Sequence, residues 1–203
     1  PKFYDHLTEG GIPYSKIAQL HGKDCLATSV IQTCAYWHSS ERCRFCGIEL
    51  SYRNGQTIKR KTPNQLSEVA RKAKELDSVQ HLVLTTGTVQ PPGREISSLV
   101  PCASAIKEAT GLPIHAQFCP PSSMEGLYEL KEAGVDTVGI HIESFDFETL
   151  SKVAPAKAAM GFERYERAWK MAVEIFGSNQ VSSFLIVGLG EKRDSVIWGS
   201  KYL

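Results

Sequence analysis

Short apolar runs rich in β-branched residues alternate along this chain with segments whose apolar residues recur every three or four positions. The runs Asp24–Thr33 (DCLATSVIQT), His81–Thr86 (HLVLTT), Ile114–Phe118 (IHAQF), Val138–Ile142 (VGIHI) and Val181–Val187 (VSSFLIV) have the length and character of strands. Between the first two, Thr62-Pro63-Asn64-Gln65 opens a helix, with Thr62 as N-cap and Pro63 at the first helical position. Leu66, Val69, Ala70, Ala73 and Leu76 then follow at helical spacing. Ile96–Ala109 is helical until Gly111-Leu112-Pro113 stops it, and Ser122–Ala133 puts Leu127, Leu130 and Ala133 on one face before Gly134 ends it. Phe145–Val153 and Phe162–Phe176 carry the same helical period. Strands alternating with helices across short junctions mean βαβ units, hence a parallel sheet with helices outside. The expected class is α/β, a parallel (βα) partial TIM-like barrel, whose count fits better than a doubly wound sheet. In barrels the chemistry collects in the loops that follow the strands' C-terminal ends.

Composition narrows the function classes. With 203 residues, 42% hydrophobic and 22% charged, the chain is expected to form one globular domain with a sizeable core. Its 23 basic and 22 acidic residues leave a net charge of +1, which argues against nucleic acid and anionic membranes as partners. No apolar run approaches the ~18 residues needed to span a bilayer. The opening Pro1-Lys2-Phe3-Tyr4 has neither an initiator Met nor a signal-peptide core and reads as the edge of a fragment. The expected organisation is an N-terminal extension (residues 1–23), a core domain (24–191) and a short tail (192–203). A further helix, strand and loop would be expected where the tail stands. Five strands leave a barrel open on one side, so the expectation is a C-terminally truncated barrel, with a protein partner to cover the gap.

Six cysteines stand at positions 25, 34, 43, 46, 102 and 119. Three of them follow the first strand in one polar loop, Cys34-Ala-Tyr-Trp-His-Ser-Ser-Glu-Arg-Cys43-Arg-Phe-Cys46, spaced C-x8-C-x2-C. Disulfide scaffolds are smaller and denser in Cys, and clustered thiols in a reducing compartment point to metal or redox chemistry. Three thiolates hold three irons of a [4Fe–4S] cluster and leave the fourth open to a small ligand. A Cys3His zinc site with His38 as fourth ligand is the alternative, and an iron–sulfur electron carrier a third, although such carriers usually supply four cysteines. The chain's other Cys residues form no second C-x2-C.

A strand followed by three clustered cysteines, with Phe45 immediately before Cys46, resembles the radical SAM superfamily. Its usual spacing is C-x3-C-x2-C. The longer first gap resembles the nitrilase-associated radical SAM family, as do KTPNQLSEVA, VLTTGT, AGVDTVGIHIESFD and VSSFLIVGLGE, from about Cys34 to Glu191. The resemblance implies that Cys34, Cys43 and Cys46 hold a [4Fe–4S] cluster, that S-adenosylmethionine (SAM) binds its open iron, and that a 5′-deoxyadenosyl radical abstracts hydrogen from a small-molecule substrate. It places Phe45, Thr86, Gly87, Glu143, Ser144, Gly188 and Glu191 in the SAM site. Thr86-Gly87 would receive the methionine amino group, Glu143 and Ser144 the ribose or methionine, and Gly188 and Glu191 the surroundings of adenine.

Elementary chemistry agrees in part. Glycines allow a ligand close to the backbone, and His141 and Glu143 share one face by the two-residue period of a strand. Arg193, where a third glycine would stand, excludes a dinucleotide fingerprint. Gln117 and Cys119-Pro120-Pro121 are expected on the substrate side. The resemblance also implies an electron donor such as flavodoxin or ferredoxin, and a cytoplasmic location.

Overall fold

The computed structural model describes residues 1–203. Six strands form one open sheet in sequence order: β1 (Gln19–His21), β2 (Cys25–Ser29), β3 (His81–Thr85), β4 (Ile114–Gln117), β5 (Thr137–Gly139) and β6 (Val181–Ser182). The pairs from β2 to β6 are parallel, and β1 runs antiparallel to β2. The helices are α1 (Leu50–Arg53), α2 (Pro63–Asp77), α3 (Ile96–Thr110), α4 (Glu125–Glu132), α5 (Phe147–Val153), α6 (Pro155–Ala159), α7 (Phe162–Phe176) and α8 (Arg193–Tyr202). An open, mostly parallel sheet with helices on its outer face is the partial barrel expected from the alternation of elements.

Local chemistry explains where the helices begin and end. Thr62 caps α2: its hydroxyl accepts from the Gln65 amide and the Gln65 side chain accepts from the Thr62 amide, a complete capping box. Asp146 caps α5 by accepting from the Thr149 amide. Gly134 follows α4 at φ +87°, a left-handed position that suits a helix stop.

The two faces of the sheet differ in kind. Leu26, Leu82, Leu84, Ile114, Ala116 and Val138 alternate onto the outer face and are buried under the helices. The opposite, concave face carries Ala27, Ser29, Val83, Thr85 and Gln117, which are small or polar and half-exposed. The core therefore lies between sheet and helices, and the concave side is left as a cavity.

Several boundaries differ from the sequence expectations. Residues 1–23, expected as an extension, are part of the core: Phe3 is fully buried, Ile17 and Ala18 are buried, and β1 extends the sheet. The fourth and fifth strands are shorter than expected, ending at Gly139 and Ser182, because the chain beyond them pairs only through a bridge between Glu143 and Leu185. Residues 192–203, expected as a tail, form α8. Its Trp198 and Tyr202 pack against Phe145 at ring separations of 5.2 and 5.8 Å, and the Lys192 amide donates to Asp146.

Candidate functional site

The ends of β2, β3 and β4 deliver their next residues to one place. Cys34, Cys43 and Cys46 line a single cavity together with Trp37, Thr88, Cys119 and Lys157. The cysteine loop is fastened on three sides. The Cys34 amide donates to Glu49 Oε1 (3.1 Å) and the Ala35 amide to the Thr88 carbonyl (2.8 Å). Farther along, the Arg44 amide donates to Val153 and the Ala156 amide to Glu41, tying the loop to α5 and α6. Trp37 is buried beneath it, with the Arg42 guanidinium 4.7 Å above the indole. Glu49 is buried and lies 3.6 Å from Arg53. Nothing in the sequence singled out this carboxylate as the anchor of the loop.

Gly87, at the end of β3, explains the placement of Cys34. A Cβ at this position would stand 2.0 Å from the Thr33 carbonyl oxygen, immediately before Cys34. The Gly87 amide donates to the Ile31 carbonyl at 2.9 Å, so the two strand ends meet backbone to backbone. No side chain fits between them.

Burial pushes Cys43 up to about 12 and raises Cys46 and Cys119. Lys157 reaches into the same cavity and donates to the His141 carbonyl and to Glu143 Oε1, both at 2.7 Å. Burial works to lower its ammonium, and Cys119, Glu143 and Cys43 outweigh burial and raise it. Glu143 is 9% exposed and holds a left-handed φ of +71°, unusual for a residue with a side chain. Its backbone is fixed by bonds to Phe184 and Ile186. Burial also pushes His141 down to about 4, with Lys157 and His115 adding to the effect.

The other expected site residues are distributed as follows. Thr86 is half-buried and donates to the Gly87 carbonyl. Ser144 is buried and accepts from the Asp146 amide. The Glu191 carboxylate accepts from the amides of Gly188 (2.8 Å) and Leu189 (2.7 Å), which fixes the loop containing Gly188. Phe45 is exposed on the cysteine loop. His38 lies outside the cavity, largely exposed, with its Nε2 2.8 Å from Arg53.

The donor set suits a cluster better than a single ion. No three His, Cys, Asp or Glu side chains stand close enough together to share one metal. A lone zinc needs its ligands converged at about 2.0–2.3 Å from one point, whereas in an iron–sulfur cluster each thiolate takes a different iron. Cys34, Cys43 and Cys46 line one cavity, a number of thiols equal to three irons of such a cluster.

The family model described as the radical SAM superfamily matches residues 40–197. The chain belongs to the radical SAM superfamily. Its members use a [4Fe–4S] cluster and SAM. The match includes Cys43 and Cys46 and begins after Cys34. Among solved structures the chain is similar to methylornithine synthase (PylB), with 20% identity, a TM-score of 0.63, and 86% of this chain aligned to 48% of that one. HydG, a maturase of the [FeFe]-hydrogenase, aligns at 18% identity and TM-score 0.65, covering 91% of this chain and 40% of its own. OxsB, a cobalamin-dependent SAM radical enzyme, aligns at 13% identity and TM-score 0.53, covering 87% and 26%. The chain thus spans half or less of the length of each. These likenesses carry the fold. No curated protein matches the chain significantly, and no helix is long and apolar enough to cross a membrane.

Proposed function

We propose that this radical SAM chain carries out reductive cleavage of SAM, with Cys34, Cys43 and Cys46 as the three protein ligands of a [4Fe–4S] cluster. One observation carries the reading: three thiols of a single loop line one cavity at the C-terminal end of a parallel sheet, in a chain of this superfamily. When bound and reduced, the cluster supplies one electron to the SAM sulfonium, giving methionine and a 5′-deoxyadenosyl radical that takes a hydrogen atom from the substrate. The protein's own residues position and shield. Glu49 and Gly87 set Cys34, α5 and α6 hold the far side of the loop, and buried Trp37 keeps water from beneath it.

In this reading Phe45, Thr86, Gly87, Glu143, Ser144, Gly188 and Glu191 surround SAM. Some act through others: Glu191 holds the Gly188 loop by accepting two amides, and Glu143 holds Lys157 at the cavity wall. In the same reading residues 24–191 carry the catalytic residues, with residues 1–23 and α8 packed onto them, the C-x8-C-x2-C spacing supports the nitrilase-associated branch, and a flavodoxin or ferredoxin in the cytoplasm supplies the electron.

A second reading draws on one observation, that Cys119 lines the same cavity as the other three thiols. Four thiolates would close the cluster against SAM and leave an electron carrier. Anaerobic reconstitution with iron and sulfide, followed by EPR of the reduced protein with and without SAM, separates the two. A [4Fe–4S] signal altered by SAM supports the open site. A signal indifferent to SAM in the wild type, and sensitive to it in Cys119→Ala, supports the carrier. A colourless protein that takes up one zinc overturns both.

A further inference from the structure

The concave side of the sheet encloses a second cavity of about 420 Å³, lined by polar side chains of β1 to β4 and of the segment between α1 and α2. That volume lies within the ~300–1,000 Å³ typical of small-molecule sites. Lys16, Lys61 and His21 line it, with the hydroxyls of Ser29 and Thr85 and the amides of Gln32 and Gln117, and no Asp or Glu. The charge on its wall is therefore of one sign.

Lys61 is the unusual member. Only 3% of it is exposed, yet its ammonium donates to two uncharged acceptors, the Ser29 carbonyl (2.7 Å) and Gln32 Oε1 (3.1 Å). An ammonium has three N–H donors, so one has no partner in the protein. Every other buried charged group is answered: Glu49 by Arg53, Glu143 by Lys157, Glu95 and Asp146 by backbone amides. A buried cation without a counter-charge is costly, and a site that binds an anion is a common reason to retain one. The surrounding chain holds Lys61 in place. Its amide donates to the Val30 carbonyl, Arg60 bridges to Ile31, and the Thr57 hydroxyl donates to the Lys16 carbonyl.

Along the chain, three residues that line the second cavity stand close before residues that line the cysteine cavity. Gln32 stands two residues before Cys34, Thr85 three before Thr88, and Gln117 two before Cys119. Two residues of extended chain span about 6–7 Å. The two cavities are thus lined by successive stretches of the same three strand ends.

We infer that this cavity binds a small molecule through a carboxylate or phosphate group, which pairs with the unpartnered N–H of Lys61 and accepts one further hydrogen bond from the Ser29–Thr85 hydroxyl pair, whose members are bonded to each other at 2.7 Å. That this anion belongs to the substrate attacked by the radical rests on the function proposed above. That the cavity binds an anion does not.

The test uses the full chain without cluster or SAM. Calorimetric titrations with acetate, succinate and inorganic phosphate, against chloride at matched ionic strength and ethylammonium as the cationic control, are the direct readout. Saturable binding of a carboxylate or of phosphate is expected, and whichever binds tighter assigns the group. Lys61→Met should weaken it about tenfold or more, the value of a charge-assisted pair, while Lys61→Arg retains much of it. Amide chemical-shift mapping on the wild type keeps the test open if Lys61→Met fails to fold: shifts should gather at Ser29, Gln32, Lys61 and Thr85. Absence of anion binding, equal affinity in Lys61→Met, or shifts confined to surface lysines overturns the inference. So does displacement of the anion by SAM, which would assign Lys61 to the cofactor. Anion binding by a protein that takes zinc and no cluster would instead overturn the function and leave the cavity standing.

Discussion

Gly87→Ala offers the sharpest test of how the cysteine loop is set. The added methyl would lie 2.0 Å from the Thr33 oxygen, 2.8 Å from its carbonyl carbon and 3.0 Å from Ile48 Cδ1. Favourable contacts between heavy atoms need about 3.5 Å, so the strand ends must part by more than ~1 Å. Parting strains two hydrogen bonds, Gly87 to Ile31 and Ala35 to Thr88. Overpacking costs ~1–3 kcal/mol and each weakened bond up to ~1 kcal/mol, for a total of about 3 kcal/mol. In a chain of this size that lowers Tm by roughly 6–12 °C, within a typical stability of ~5–15 kcal/mol. The fold should survive while Cys34 moves. The assay is a thermal melt beside iron content and EPR after reconstitution, with Gly10→Ala as control because its Cβ meets only Thr8 Oγ1 at 3.9 Å. The expected result is a folded, less stable protein that loads much less iron. A variant with unchanged Tm and full iron content would refute the close approach and its role in placing Cys34.

Four other outcomes follow from the same geometry. Alanine at Cys34, Cys43 or Cys46 should abolish the [4Fe–4S] EPR signal, while Cys119→Ala keeps both the signal and its response to SAM; a response to SAM that appears only in Cys119→Ala would argue for four protein ligands. Lys157→Met strands Glu143 as a buried charge and should cost ~3–5 kcal/mol in a denaturant titration; a loss below ~1 kcal/mol would mean that the pair is not desolvated. Glu49→Gln keeps an acceptor for the Cys34 amide and should load iron nearly as well as the wild type, whereas Glu49→Ala should not; equal loading by all three would remove Glu49 as the anchor. Burial pushes Lys61 down to about 8, below its unfolded value of ~10.4, so stability at this site rises as pH climbs from about 8 to about 10.4. Anion binding should run the other way and fade as pH rises through about 8, with Lys16 and His21 the other titratable groups on the wall; an affinity flat from pH 6 to 10 would exclude Lys61 as the binding charge.

Elements whose stability is local were readable from the chain. Thr62, Pro63 and Gln65 start α2 by bonds made within four residues, and Gly134 ends its helix by backbone freedom alone. Elements set by tertiary pairing were not. The apolar run after Val181 promises a strand of seven residues, but only Val181–Ser182 joins the ladder, because β5 ends at Gly139 and offers no edge beyond it except the Glu143–Leu185 bridge. Likewise β1 lies in a segment without strand-like alternation and exists because β2 presents a free edge.

The same division runs through the site. Three cysteines on one loop announce themselves by spacing, and the cavity brings them together. Cys119 stands 73 positions beyond Cys46, and only the parallel register of β2, β3 and β4 carries it to the same wall. The carboxylates show what composition conceals. Glu143 and Glu191 sit where ligands are expected, yet one is bonded to Lys157 and the other to the amides of its own loop. Lys61 is the converse: it lies in a polar stretch with no periodicity, and its burial beside Ser29 and Gln32 leaves a cation facing a cavity without a carboxylate. A sequence shows which residues are charged, but only the fold shows which charges are already answered, and an unanswered buried charge marks a place for a ligand.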